Sequence, residues 1–264
     1  MTGSADEQTR PVDPLARFRI DGRVAIVTGA SSGLGVRFAE VLDSAGARLV
    51  IVARRAERLH ALAARLRDPL VVAADVTRPA DVEALTAATI ERFGQIDILV
   101  NNAGISDAIP AEDEPLEQFQ AIVDVNLVAA FHLCQVIGRL MLARGQGTII
   151  NVASMLGVVS AGQIPQAGYA ASKAGLINLS RDLAAQWGRR GVRVNALCPG
   201  WFPTEMTSGM FEDERSLAWI RRKTILGRAG REDELDGALL WLAGDASSYV
   251  TGAALIVDGG FTAT

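Results

Sequence analysis

Residues 23–35, RVAIVTGASSGLG, running into VRFAEVLDSAG at 36–46, decide the fold. The first seven residues are almost continuously apolar and β-branched, without the alternation of a half-exposed strand, so they read as a strand buried on both faces. The glycines that follow, Gly29, Gly33 and Gly35 in GxxxGxG spacing, allow a tight turn and close backbone approach. A helix starting there aims free N–H groups and a positive dipole end at any anion in the turn. Gly29, Ser31, Ser32, Gly33, Leu34 and Gly35 are therefore candidate phosphate-cradling residues. A strand-to-helix junction that holds nothing is the lesser alternative for the turn taken alone.

Working outward, six further short apolar runs begin at Ala47 (ARLVIVAR), Leu70 (LVVAAD), Ile96 (IDILVNN), Gly147 (GTIINVAS), Val192 (VRVNALCPG) and Ala254 (ALIVDGG). Helical patterns lie between them, such as AERLHALAARLR after Arg55 and ADVEALTAATIERF after Pro79. Strand and helix in alternation imply an α/β chain with a seven-stranded parallel sheet, doubly wound in the Rossmann manner and flanked by helices. Ligands of such folds sit at the carboxyl ends of the strands, and five of these seven strands end in polar or Gly-rich residues. One domain over 18–264 is expected, with residues 199–230 as a long irregular segment of the kind that covers a substrate.

The chain of 264 residues is 49% hydrophobic, enough for one large core. A formal net charge of −4 without a basic stripe argues against nucleic acid. The apolar runs read from the sequence are five to seven residues long, short of the roughly 20 needed to span a bilayer, so no membrane partner is expected. Residues 1–17 are polar with two prolines and read as a loose tail on a cytoplasmic protein. Cys134 and Cys198 are far apart and flanked by apolar residues, and His60 and His132 lack partners at ligand spacing. Reduced core thiols and no metal site are the expectation.

The second strand carries the cofactor signal. An NAD site usually places an acidic residue at its end for the adenosine ribose, but here the position is Ala53, followed by Arg54 and Arg55. Two guanidiniums without a carboxylate favour a 2′-phosphate, hence NADP(H) over NAD(H). Cations at a helix start oppose its dipole, which strengthens that reading. After the third strand, Asp75 and Val76 either line an adenine pocket or, for Asp75, cap a helix.

Candidate chemistry lies after the fifth strand. Ser154 ends that strand, and Tyr169 and Lys173 open a long amphipathic helix four residues apart, on one face. An ammonium at that distance is expected to lower the tyrosine pKa from near 10, fitting Tyr169 for general acid/base work. Ser154 can hydrogen-bond the same substrate oxygen. A Tyr-x-x-x-Lys pair by itself is common on helix surfaces.

TGASSGLG from Thr28, Asp75, NNAG from Asn101 to Gly104, Asn126, Ser154, YAASK from Tyr169, and Pro199-Gly200 followed by Thr204 occur in one order across residues 18–260. In this the chain resembles the short-chain dehydrogenase/reductase family, in the branch with TGxxxGxG and YxxxK motifs. The resemblance implies a tetrad of Asn126, Ser154, Tyr169 and Lys173, with Lys173 also gripping the nicotinamide ribose and Asn126 helping to hold a relay water. It implies that Asn102, Ala103 and Gly104 line the adenosine side. Pro199, Gly200 and Thr204 would touch the nicotinamide end, with the carboxamide read by backbone near Phe202. Many NADP-using relatives carry a basic residue where this chain has Ser32, so the 2′-phosphate would depend on Arg54, Arg55 and Ser31.

Residues Trp201 to Phe211, including Met206 and Met210, are rich in large apolar side chains and suit a lid, with Met155, Ile164 and Trp201 as further walls. The pocket is expected to lean apolar, taking a carbonyl or alcohol with a hydrophobic body, sugar acids remaining open. A 3-oxoacyl-(acyl carrier protein) reductase would share every motif and would want a basic patch, for which Arg144, Arg189 and Arg190 are candidates. A halohydrin-type lyase would have Arg in place of Lys173, a non-catalytic NADP sensor would lack part of Ser154, Tyr169 and Lys173, and related enoyl reductases space Tyr and Lys seven apart. By resemblance, assembly as a homotetramer through helices around 128–141 and 170–187 is expected.

Overall fold

The computed structural model describes residues 13–162 and 164–263. Seven strands form one sheet: β1 (Val24–Thr28), β2 (Arg48–Ala53), β3 (Leu70–Ala73), β4 (Ile98–Asn101), β5 (Gly147–Val152), β6 (Val192–Pro199) and β7 (Ala254–Val257). Their order is β3-β2-β1-β4-β5-β6-β7, every pair parallel. The chain winds to one side through β3 and returns to the other through β4, so the switch point falls between β1 and β4.

Apolar continuity in the strands has the reason read from the sequence. In β1, Ala25 and Val27 pack into a core with Phe38, Leu42 and Leu239, while Val24 and Ile26 pack into the opposite one with Leu85, Leu133 and Ile137. Helices α1 (Gly33–Ser44), α2 (Ala56–Ala63), α3 (Pro79–Phe93), α4 (Leu116–Val123), α5 (Ala129–Arg144), α6 (Ala167–Trp187), α7 (Ser208–Phe211), α8 (Glu214–Lys223) and α9 (Asp236–Ala243) complete the fold. Between α4 and α5 the helix widens into a π turn over Asp124–Val128.

Three expectations change. Residues 199–230 are not an irregular loop: α7 and α8 occupy much of the segment, with Asp213 capping α8 through the Ser216 N–H at 2.9 Å. Of the presumed tail, residues 1–12 lie outside the described residues, whereas Pro14–Phe18 form a 3-10 turn capped by Asp13 and anchored by Arg17 to Ser248. Short apolar runs also understate one element, because the continuous helical run Leu116–Arg144 is long and apolar enough by composition to cross a membrane. In this fold its apolar face, through Leu133, Ile137 and Met141, packs on the sheet.

At the amino ends of the strands, Asp97 fastens the sheet to α5. Its carboxylate accepts from the Val24 N–H at 2.8 Å, from Gln95 at 2.8 Å and from Arg144 at 2.9 Å, and it is 5% exposed. Removing it leaves a buried N–H and an arginine without their acceptor. Asp97→Ala should destabilise the fold by about 3 kcal/mol, read as a lowered urea midpoint; an unchanged midpoint would show that water replaces the carboxylate freely.

Candidate active site

The switch point closes only because it is built of glycine. Thr28, the last residue of β1, accepts at Oγ1 from the N–H groups of Asn102 and Ala103 at 3.0 and 3.1 Å, and Asn102 Nδ2 donates to the Thr28 carbonyl at 3.0 Å. A Cβ on Gly35 would overlap the Gly29 carbonyl and the Asn102 amide. This draws the start of α1 against the β1 turn. Ser32, the residue before α1, makes no side-chain cap, so the first N–H groups of the helix face the turn uncapped by a side chain. A backbone cradle at a helix start fits a dinucleotide's phosphates. Leu34 is part of it, and Thr204 lies over Gly33, 3.2 Å from where a Cβ would stand.

Beside the cradle, the structure assigns the two arginines different jobs. Arg55, not Arg54, turns into the turn: it donates to Ser31 Oγ at 3.0 and 3.2 Å and to Ser32 Oγ at 2.9 Å. Its guanidinium also pairs with Glu205, as does that of Arg58. Arg54 is exposed and sits near Asp75, whose carboxyl is held below its ordinary range because Thr77 hydrogen bonds and the charges of Arg54 and Arg78 outweigh burial. Asp75 Oδ1 accepts from the Thr77 N–H and hydroxyl at 3.0 and 2.7 Å, closing a turn before α3, while Val76 is buried in the core. Neither Arg58 nor Glu205 was anticipated from the sequence, since the contact joins positions 147 or more residues apart.

The candidate reacting groups stand after the end of β5 and at the start of α6. A 3-10 turn, Met155–Gly157, follows Ser154, and a Cβ on Gly157 would stand 2.7 Å from the Lys173 carbonyl carbon. That close approach brings the Ser154 and Tyr169 hydroxyls within hydrogen-bonding reach of each other. Lys173 is 4% exposed and donates to the Val152 carbonyl at 2.8 Å, with Nζ 5.6 Å from the Tyr169 ring centre.

The electrostatics differ from expectation. Burial pushes the Tyr169 pKa up, with only partial relief from the Ser154 hydrogen bond, and Lys173 does not reverse this. The lysine's own pKa is pushed down by burial to about 8, despite some support from nearby Cys198. Tyr169 therefore stays protonated at neutral pH, the state that donates to a carbonyl oxygen. Cys134 and Cys198 are free thiols, raised by burial to about 12 and about 11.

Asn126 lies in the π turn, and its side chain is fully engaged: it accepts from the Ile105 N–H at 2.9 Å and donates to the Ile105 carbonyl at 2.9 Å and to Ser172 at 3.0 Å. Its side chain clamps the segment after NNAG, with Gly104 between Asn126 and Lys173. Behind it runs a polar relay unforeseen in the sequence, from Asn101 to Asn151 at 2.9 Å and from Asn151 to Ser180 at 2.9 Å.

After β6, Gly200 pairs its N–H with the Val257 carbonyl at 2.9 Å, extending the sheet past Pro199. The Phe202 carbonyl is taken by the Thr207 hydroxyl at 2.7 Å, and the Phe202 ring is buried against Gly230. Met155 and Trp201 are buried in a satellite cluster with Trp219 and Phe261, against which Ile164, Tyr169 and Met210 pack. Met206 is 49% exposed and is not part of it. Trp201 and Trp219 meet edge-on at 5.7 Å. A cavity of about 200 Å³ lies behind the cluster, lined by Trp201, Phe202, Thr224 and Gly259 among others, without Ser154, Tyr169 or Lys173.

Arg144 is spent on Asp97 and the Ile96 carbonyl, at the strand ends opposite the site, and Arg189 and Arg190 lie just before β6 at that same end. These arginines cannot form a patch beside Tyr169. Among the described residues, no group of three His, Cys, Asp or Glu side chains could hold a metal ion.

A nucleotide cradle at the switch point, with a Ser-Tyr-Lys set beside it, defines a class of nicotinamide-dependent oxidoreductases, and comparison with known proteins agrees. Residues 29–262 match the family model described as enoyl-(acyl carrier protein) reductase. D-threitol dehydrogenase of Mycolicibacterium smegmatis is 40% identical over 249 residues, covering 93% of this chain and 95% of the relative. Galactitol 2-dehydrogenase (L-tagatose-forming) of Cereibacter sphaeroides is 42% identical over 252 residues, covering 93% and 97%. The crystal structure of a gluconate 5-dehydrogenase from Burkholderia cenocepacia, in complex with NADP and tartrate, superposes with a TM-score of 0.91 at 39% identity, covering 96% of this chain and all of that one. The chain belongs to the short-chain dehydrogenase/reductase family, and it is an oxidoreductase acting on CH–OH groups.

Burying the Lys173 ammonium is costly, since its pKa falls from 10.5 to about 8, equivalent to roughly 3 kcal/mol. The folded pKa lies below the unfolded one, so the penalty is fully present below pH 8 and is relieved as pH rises toward 10.5. Lys173→Met should therefore be inactive yet more stable than the parent at pH 7, with the gap in denaturant midpoint closing above pH 8; a variant less stable at every pH would contradict the assignment.

Proposed function

We propose that this chain interconverts a secondary alcohol and a ketone using NADP(H), with Tyr169 as the proton donor and acceptor, and that its substrate is a neutral polyhydroxylated molecule. The observation that carries the chemistry is the Tyr169 hydroxyl beside Ser154, one helical turn from a buried lysine, next to the glycine cradle. When bound, the nicotinamide supplies or takes the hydride. Tyr169 gives its proton to the carbonyl oxygen during reduction and recovers one from the alcohol during oxidation. Ser154 orients that oxygen. Lys173, fixed by Val152, offers its ammonium beside the ring and stabilises charge that develops on the phenol. For the cofactor, Arg55, Arg58, Ser31 and Ser32 form a donor set suited to a 2′-phosphate, and Ala53 places no carboxylate against it.

The substrate reading moves away from an apolar pocket. Both carboxylate oxygens of Asp107, one of Glu114 and the amide oxygen of Gln166 are buried without a hydrogen-bond partner, as are the indole nitrogens of Trp201 and Trp219. Gln166 directly precedes α6, Glu114 Oε1 lies against Gly168, the neighbour of Tyr169, and Asp107 lies two residues past the Ile105 clamp; we read these acceptors as serving the substrate side of Tyr169. Unpaired buried polar groups are costly, and hydroxyls both donate and accept. Two acidic side chains in this position favour neutral polyols over sugar acids or acyl thioesters. Two relatives named above act, by their names, on threitol and galactitol. Association as a homotetramer through α5 and α6, in the cytoplasm, belongs to the same proposal; Val128 and Phe131 expose apolar surface there.

The test is NADP⁺ reduction across alditols, aldonates and simple secondary alcohols, with Tyr169→Phe as control. Alditols should give the highest kcat/KM, and Tyr169→Phe should lose about 10³-fold in kcat while still binding cofactor. Preference for aldonates would overturn the substrate reading, and a nearly active Tyr169→Phe the mechanism.

A further inference from the structure

Glu205 follows Thr204 at the start of the lid and reaches across to α2. Its carboxylate receives four hydrogen bonds from two guanidiniums: Arg55 at 3.1 and 2.9 Å, and Arg58 at 3.1 Å to each oxygen. The same Arg55 Nη2 also donates to Ser31 at 3.0 Å and Ser32 at 2.9 Å. One anion of the chain thus sits on the donor set that a 2′-phosphate would need. Arg55 is the residue before α2 and Arg58 lies in its first turn, where cations oppose the helix dipole, so this cluster calls for a negative partner. Glu205 meets that need from within the chain, and the two arginines hold its carboxyl down to about 2, ionised at any working pH.

We infer that Glu205 is a specificity-determining residue for the cofactor: its carboxylate competes with the 2′-phosphate of NADP(H) for Arg55 and Arg58, so that NADP(H) must displace it whereas NAD(H) leaves it in place. The inference rests on the dinucleotide reading above. Two guanidiniums less one carboxylate leave a single net positive charge to meet a phosphate of about −2. Without Glu205 both charges face the phosphate. The contact also tethers the lid, because the segment leading into α7 is held to α2 through Arg55 and Arg58. A 2′-phosphate therefore releases the front of the lid, and a 2′-hydroxyl, able to donate to the carboxylate, keeps it fastened.

The experiment is equilibrium titration of the full chain with NADPH and with NADH, followed by protein fluorescence or calorimetry, for the parent, Glu205→Gln, Glu205→Asp, Arg55→Gln and the Arg55→Gln/Glu205→Gln double variant. Glu205→Gln should tighten NADPH by about three- to tenfold, the scale of two partly exposed ion pairs, and change NADH by less than about twofold. Glu205→Asp, which keeps the charge, should stay near the parent, and the NADPH gain should shrink in the double variant relative to Arg55→Gln alone. An equal effect on both cofactors, or none on NADPH, overturns the inference. If the parent binds neither dinucleotide, the cofactor reading itself fails and takes the inference with it. In the unmodified protein, amide hydrogen exchange over residues 204–211 should be faster with NADPH bound than with NADH; equal rates would count against displacement whatever the variants do.

Discussion

The structure depends on one contact, the seam between the ends of β1 and β4. Thr28 and Asn102 lock these strand ends to each other through side chain and backbone at once, leaving the turn after β1 no room for a side chain at Gly35. The direction of α1 follows, because the helix must start where the glycine lets it approach. From there the rest is a matter of reach. Arg55 meets Ser31 and Ser32 because β2 lies in register with β1, with Thr28 opposite Val52. Thr204 covers Gly33 because β6, parallel to β5 and running on to Pro199, delivers the chain to the same carboxyl edge of the sheet. A larger residue at the seam would move the cradle, and every group that addresses it, together.

A second constraint fixes the reacting groups. The helix α6 is held from behind by the Asn101, Asn151 and Ser180 chain of hydrogen bonds and from the front by the close pass of Gly157. Between these, Tyr169 and Lys173 have little freedom, and the ammonium stays buried although hydrophobic burial opposes it. Such a site resists relaxation into a more comfortable arrangement, a known tension between stability and activity. Asn126 contributes in the same sense. Its amide is consumed in pinning Ile105, which sets where the chain after NNAG passes the lysine.

The sheet was legible because burial on both faces removes polar residues from the strands, leaving seven runs that hardly resemble anything else. The candidate site was legible as residue types in fixed spacing: the glycines after β1, Ser154 after β5, and Tyr169 and Lys173 one turn apart on α6, which the structure brings together. What escaped is what depends on side-chain direction. Nothing in the string ARR says that the second arginine turns inward and the first outward. The π turn at Asp124–Val128 has the composition of an ordinary helix. The helices within 199–230 were hidden because α8 is strongly charged at its end, RRK, and its buried residues are only Trp219 and Ile220. The expected fall in the Tyr169 pKa failed because spacing reports proximity, whereas burial, which raises it, is a property of the folded whole. Arg144 looked free for a partner and is bound to Asp97, a pairing 47 residues apart in sequence.

Unpaired polar atoms give the last step. Among the described residues, the buried side-chain atoms without a partner belong to Asn101, Asp107, Glu114, Gln166, Trp201 and Trp219. Asn101 lies in the relay behind α6, Glu114 and Gln166 lie beside the start of α6, Asp107 follows the Ile105 clamp, and the two indoles belong to the Trp201 cluster. The other buried side-chain nitrogens and oxygens among the described residues are paired, as in natural folds. Deficits of this kind are what a ligand rich in hydroxyl groups would relieve. Acceptors around α6 and indole donors from the lid are complementary to hydroxyl groups, which offer both functions on each carbon of a polyol. A purely apolar substrate would leave them all unpaired, and an anion would meet two acidic side chains. On the proposed reading, the segment from Trp201 that would select a neutral substrate also carries Glu205, paired with Arg55 and Arg58 where a 2′-phosphate would bind, so one short segment would bear on the choice of both reactants.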